Sequence, residues 1–222
     1  MHKVAEYIAW KEKKVRNPET GNLVKVKSLP QEQQKQYAPK NMVHLIKQKL
    51  NNVLNKGTYS IISAGRNPSH EKEGKMPANH KYFAKRHEKL RNDLEKANMK
   101  YTEVMGVYDG EEPSFLVLHK HNKPLNDKTV KSMMVHHKGS IDDIKKIHQL
   151  AEKYNQDSVL HSNRGKNTLV FTSGKKRGKK CGGHGHKEIP EATNYYTDIP
   201  LEKDNHTKVQ MDISDCFEKG LL

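Results

Sequence analysis

The apolar positions of the chain fall into short runs whose spacing switches between helical and extended periods. Val43, Ile46, Leu50 and Val53 recur at three- and four-residue steps and stop at Gly57, which predicts an amphipathic helix. Residues 58–64 read as a strand, and Phe83, Leu90, Leu94 and Ala97 then share one helical face with Asn98 as its stop. Residues 101–108 alternate as a strand, Asp109-Gly110 is a favoured hairpin dipeptide, and residues 114–118 return. Ser140 is an N-cap with Asp142 and Asp143 in the first turn, and Ile141, Ile144, Ile147, Ala151 and Tyr154 make the apolar stripe of a further helix. Residues 158–161 and 168–172 read as paired strands around Asn163-Arg164-Gly165. The order β-α-β-β-α-β plus one strand predicts an α+β domain, a split βαβ or ferredoxin-like sandwich with helices on one face of an antiparallel sheet.

The flanks behave differently. Val4, Tyr7 and Ile8 have helical spacing, the turn residues Asn17 to Gly21 follow, and Leu23, Val24, Val26 and Leu29 alternate up to Pro30, which predicts a hairpin. From Ser173 to Lys187 there is no apolar periodicity, so this stretch reads as a flexible basic segment. Tyr195, Tyr196 and Ile199, then Val209, Met211, Ile213 and Phe217, predict a small element that packs back. The expected organisation is an N-terminal hairpin and helix extension (1–56), a central α+β domain (57–173), a flexible Gly/Lys/His segment (174–190) and a small C-terminal element (191–222).

Composition sharpens the periphery more than the core. Only 33% of the 222 residues are hydrophobic, 30% are charged and the mean hydropathy is -1.00, which predicts one true core with much solvated surface. A net charge of +15 and a pI near 9.6 favour polyanionic partners. The two cysteines, Cys181 and Cys216, lie far apart, so no disulfide framework is expected and a reducing, cytoplasmic compartment fits. No apolar run approaches membrane-spanning length and the first residues lack a signal-peptide stretch, so a soluble intracellular or packaged protein without a membrane partner is expected.

Several segments carry candidate chemistry. Lys175, Lys176, Arg177, Lys179 and Lys180 are separated by glycines and suit a phosphate backbone through non-specific counterion release. Cys181, His184 and His186 offer three soft ligands, but a closed zinc site needs four and the neighbouring cations repel a metal, so none is expected. His-Glu-x-x-His, Gly-x-Ser-x-Gly and Walker-type sequences are absent, and no cofactor is indicated. Pro68 forces Asn67 out of helical geometry, so Arg66 and Asn67 should emerge just past a strand. Glu112 and Ser114 flank Pro113 at a strand start, and Gln156 precedes another strand. If these segments converge, Arg66, Asn67, Glu112, Ser114 and Gln156 form one pocket; an enzyme would then use Arg66 to hold an anion and Glu112 or His161 as acid or base. The alternative is that Asn67 and Gln156 cap turns and Glu112 pairs with Arg66.

Ser63-Ala64-Gly65-Arg66-Asn67-Pro68, Glu112-Pro113-Ser114-Phe115-Leu116-Val117 and Gln156-Asp157-Ser158-Val159 together resemble a small bacterial and phage domain family of unknown function. Residues 17–28 are similar to openings of phage-encoded proteins. The resemblance implies no activity. The leading expectation is therefore a non-enzymatic, phage-type accessory protein that binds nucleic acid or an acidic protein surface. The alternatives are a structural component of a virion or large assembly, and a small enzyme acting on a nucleotide or phosphorylated substrate.

Overall fold

The computed structural model describes residues 14–17, 19–30, 33, 42–65, 76, 80–108, 110–119, 130–191, 193–202 and 205–222. The chain divides into two compact units, 1–51 and 52–222. In the first, β1 (Lys14–Arg16) and β2 (Leu23–Lys25) pair antiparallel with Val15 opposite Val24. Asn17 organises the turn: its Oδ1 accepts from the N–H groups of Glu19 and Thr20, and its carbonyl accepts from Gly21, whose φ is +69°.

In the second unit, nine strands form one sheet: β3 (Thr58–Ser63), β4 (Lys100–Tyr108), β5 (Glu111–Leu118), β6 (Ser158–Asn163), β7 (Lys166–Phe171), β8 (Lys180–His184), β9 (His186–Ile189), β10 (Tyr195–Glu202) and β11 (Asn205–Met211). Every neighbouring pair is antiparallel, in the order β8-β7-β6-β3-β5-β4-β10-β11-β9. The two edge strands, β8 and β9, are consecutive in sequence and separated by Gly185 alone. A one-residue link between opposite edges requires the sheet to curl until its edges meet, which makes a nearly closed barrel. Gly185 takes φ +93° there, its N–H donates to the Gly165 carbonyl, and its own carbonyl accepts from the Asp212 N–H and the Asn167 Nδ2.

Among the described residues, α2 (Lys81–Lys96), α3 (Val130–Lys153) and the short α4 (Ser214–Glu218) accompany these strands, while α1 (Met42–Lys56) spans the boundary between the two units. Alternation along β3 divides the two faces. Ile62 and Ala64 join Leu90 and Leu94 of α2, Ile147, Leu150 and Ala151 of α3, and Phe115, Val117 and Val159 in one core. Burial of those side chains, at about 1.5–3 kcal/mol each, is what seats the helices on the sheet. Tyr59 points the other way, into the barrel, where its hydroxyl meets Met211 Sδ at 3.4 Å.

The expected ferredoxin-like sandwich is thus corrected. Strands and helices are present in the predicted order over residues 58–171, but the second helix begins at Val130, so Ser140 lies inside it and is not its N-cap, and Ile141 is exposed. The sheet also continues beyond these elements at both edges and closes on itself, giving a mostly-β molecule. The Gly/Lys/His stretch expected to be flexible supplies two of the missing strands. Its glycines serve close packing: a Cβ on Gly182 would lie 2.0 Å from the Asn167 carbonyl oxygen, and one on Gly183 would lie 2.6 Å from the Asp212 carboxyl.

The cysteine expectation is also corrected. Cys181 in β8 and Cys216 in α4 form a disulfide with Cα atoms 4.9 Å apart, so the reducing compartment loses its support. Among the described residues no helix is long and apolar enough to cross a membrane.

Candidate functional site

Where β3 ends, β5 begins and α3 gives way to β6, the structure contains a cavity of about 1400 Å³. Its lining runs from Phe83 and His87 on α2, past Gly65, Glu112, Gln156 and Asp157, to Phe171 and Tyr195 in the barrel mouth. Polar side chains such as Glu112, Gln156 and Asp157 and aromatic residues such as Phe83, Phe171 and Tyr195 share the lining, the composition of a small-molecule site.

Glu112 is the chemical centre of this arrangement. Its carboxyl lies directly against Gly65: a Cβ there would be 2.5 Å from Glu112 Oε1 and 2.7 Å from Cγ. Burial pushes its pKa up to about 7; the Ser63 hydroxyl and the Arg86 guanidinium pull it back, and the Asp157 carboxylate pushes it further up. A carboxyl poised near neutrality can hold a cation when ionised or accept a proton at ordinary pH.

Its surroundings are held by hydrogen bonds. The Ser63 hydroxyl donates to the Pro113 carbonyl at 3.1 Å and accepts from the Gly65 N–H at 2.8 Å. The Ser63 N–H donates to Gln156 Oε1 at 2.8 Å, and the Ser114 hydroxyl donates to the Glu112 carbonyl at 3.0 Å. Arg86, buried on α2, donates to the Tyr154 carbonyl at the end of α3 and so fixes the turn that carries Gln156 and Asp157.

Of the pocket residues expected from the sequence, Glu112, Ser114 and Gln156 line this one cavity. Arg66 and Asn67 lie outside the described residues. His161 is elsewhere: its Nδ1 meets the Ser60 hydroxyl at 2.6 Å and its Nε2 meets His148 Nε2 at 2.7 Å, on the helix-covered face of the sheet. Ser60 also meets His119 Nε2 at 2.8 Å, and burial with two neighbouring histidines pushes the His161 pKa down to about 3. These contacts describe a neutral polar link between sheet and α3, away from the cavity.

Two of the five cations of the basic segment make contacts within the chain. Lys176 Nζ donates to the Leu221 carbonyl at 2.8 Å and sits over the Phe171 ring, while Arg177 pairs with Glu152 at 2.6 Å. Lys175, Lys179 and Lys180 are exposed, and Lys175 and Lys176 also line the cavity. Of the weak metal candidates, Cys181 is consumed by the disulfide and so cannot act as a thiolate beside His184 and His186.

Sequence reasoning missed Gly65, Phe171 and Tyr195 as lining residues. Gly65 carried a signal, a glycine at a strand end beside polar residues, but its close approach to Glu112 is a tertiary fact. From the sequence Phe171 reads only as a strand position and Tyr195 only as part of a small C-terminal element, because the barrel that brings both into the lining of one cavity with Glu112 is not anticipated.

Residues 61–209, about two thirds of the chain, match a family model described as the S-adenosylmethionine lyase family. No curated protein matches the chain. The matched segment contains the three stretches that resembled a domain of unknown function, so that assignment is corrected to a named family. The expectation of a non-enzymatic, nucleic-acid-binding phage accessory or virion-associated protein is overturned with it, and the enzyme alternative is the better supported.

Proposed function

The chain belongs to the S-adenosylmethionine lyase family, and from that premise we propose that it is an enzyme cleaving the sulfonium of S-adenosylmethionine without water and without redox chemistry. In such a cleavage one carbon–sulfur bond breaks and its electron pair stays on sulfur, so the trivalent cation leaves as a neutral thioether. The carbon completes its valence within the substrate, by loss of a neighbouring proton or by ring closure.

The observation that carries the reading is the Glu112 carboxyl held in the cavity wall against Gly65, within the family-matched segment. Ionised, it supplies the negative charge that a sulfonium seeks on leaving water, and it is placed to take a proton if one is released. The Tyr195 ring in the same lining complements it, since aromatic rings attract cations electrostatically, whereas the Phe171 ring already has Lys176 Nζ over it. Asp157, in the same wall, offers a second carboxylate for the substrate's ammonium group. The substrate carries adenosine but no phosphate, so nothing in this reading needs the anion clamp expected at Arg66.

The test is a product analysis with the purified protein and S-adenosylmethionine. A neutral thioether should form with a co-product whose earliest mass equals substrate minus thioether. Glu112→Gln should lower kcat/KM about 100-fold or more, the usual scale for removing a positioned acid–base or charge-stabilising group. No turnover, or a co-product carrying an added water at the earliest time, would overturn the proposal.

A further inference from the structure

Gln156 is fixed at three points. Its N–H donates to the Ala151 carbonyl at 2.9 Å, its carbonyl accepts from the Thr172 hydroxyl, and its side-chain Oε1 accepts from the Ser63 N–H at 2.8 Å. The last contact settles the orientation of the amide, because a backbone N–H can be met only by an acceptor. Nε2 therefore turns away from β3, and its two hydrogens have no partner among the described residues, although Gln156 lines the cavity.

The next residue presents the opposite polarity. The Asp157 carbonyl accepts from the N–H groups of Thr172 and Ser173, and Asp157 Oδ1 accepts from the Ser173 hydroxyl at 3.0 Å. Its Oδ2 has no hydrogen bond among the described residues, and Asp157 lines the same cavity. A rigid donor and a rigid acceptor thus stand on consecutive residues.

We infer that Gln156 recognises the carboxylate of an α-amino acid head group through its Nε2 hydrogens, with Asp157 beside it for the ammonium on the same carbon. The inference rests on the lyase reading and adds how the substrate's amino acid end is chosen. Lys175 and Lys176 in the same lining attract a carboxylate into the cavity, but beside Glu112 and Asp157 it is held only where a donor meets it directly. A neutral amide is suited to this, since it supplies donors without adding a cation that would pair with Glu112 and displace the sulfonium. Both residues are immobilised by main-chain bonds before any ligand arrives, so little ordering entropy is lost on binding.

The experiment compares S-adenosylmethionine with its decarboxylated analogue, which keeps the sulfonium and the amine, as ligands of the full-length protein. Wild type should bind the carboxylate-bearing compound about 10- to 100-fold more tightly, the worth of a hydrogen bond to a charged group. Gln156→Glu keeps the acceptor for the Ser63 N–H and should melt close to wild type, but it should lose or reverse this preference. Gln156→Met, uncharged and without donor or acceptor, should melt lower and bind the two ligands equally. Retention of the preference in Gln156→Met would overturn the inference, since the loss in Gln156→Glu would then be long-range repulsion. Equal binding of the two ligands by a wild type that turns over S-adenosylmethionine would overturn it as well, leaving the lyase reading intact. A wild type that neither binds nor cleaves S-adenosylmethionine brings down both.

Discussion

Glu112 is the most informative ionisable group at the site. Its folded pKa of about 7 lies above the ordinary 4.5, so the folded chain holds the proton more tightly than the unfolded chain. The stability contributed by this group therefore falls as pH rises from about 4.5 to about 7, by at most about 3 kcal/mol. Glu112→Gln should raise the melting temperature at pH 8 and change it little at pH 4.5; equal shifts at both pH values would contradict a desolvated carboxyl with a raised pKa. In kinetics the sign is opposite. If the ionised form is the active one, kcat/KM should climb as pH rises through about 7, and the inflection of kcat should lie lower because bound cationic substrate favours the carboxylate. Gly65→Ala tests the same group from outside: the added methyl must displace the Glu112 carboxyl, so activity should drop sharply, at a cost in stability of about 1–3 kcal/mol. Glu112, Ser114 and Gln156 were legible as a possible pocket because Pro113 and polar strand ends mark where side chains leave a sheet. Gly65 was not, because a glycine's neighbours do not follow from its place in the sequence.

At the scale of elements, β8 and the seat of α3 are the two informative cases. A strand reading Lys-Cys-Gly-Gly-His has almost no β-propensity of its own, and it forms because β7 and the chain around Asp212 pack where side chains would otherwise be. Gly182→Ala would drive a Cβ into the Asn167 carbonyl, a backbone group that cannot swing aside, so a loss of several kcal/mol is expected, on the order of the largest single-site effects. Denaturant titration of that variant should show a lower midpoint, and a wild-type midpoint would mean the strands lie further apart. The α3 seat depends on His119, Ser60, His161 and His148 remaining neutral, with Asp143 facing His119 and Glu152 facing His148 as the nearby acids. Burial lowers all three histidine pKa values, so stability present above about pH 6.5 should be lost as pH falls toward about 3. The melting temperature should therefore decline on acidification below pH 6.5, and His161→Gln should flatten that decline. The helices and inner strands were readable because their apolar spacing is dictated by one face of one sheet. β8 and β9 carry no such spacing, since glycines and lysines fill them.

For the molecule as a whole, the disulfide and the barrel closure act together. Cys181 and Cys216 are separated by 35 residues that include β9, β10 and β11, so the bond ties the closing edge to the end of the described chain. Constraint of a loop of this length in the unfolded state is worth about 3–4 kcal/mol on the chain-entropy account. Cys216→Ser should lower stability by about that amount, and a thiol reductant should reproduce the effect in wild type but not in the variant. A reductant-insensitive wild type would contradict the bond. Because Ile213 and Leu222 line the cavity, loosening this segment should also raise KM.

By itself the sequence determined the local elements of residues 58–171, the hairpin of the first unit, and the polar strand ends from which Glu112, Ser114 and Gln156 project. Those features follow from periodicity, capping and turn chemistry, which act over a few residues. Only the tertiary structure decided that the sheet extends to nine strands, that its edges meet through Gly185, and that a carboxyl lies against Gly65 in the same cavity that Phe171 and Tyr195 line. The physical reason is the range of the forces involved. Strand pairing across the β8 and β9 edges, disulfide geometry and the desolvation that raises the Glu112 pKa all depend on groups brought together from distant parts of the chain, which composition and spacing do not encode one segment at a time.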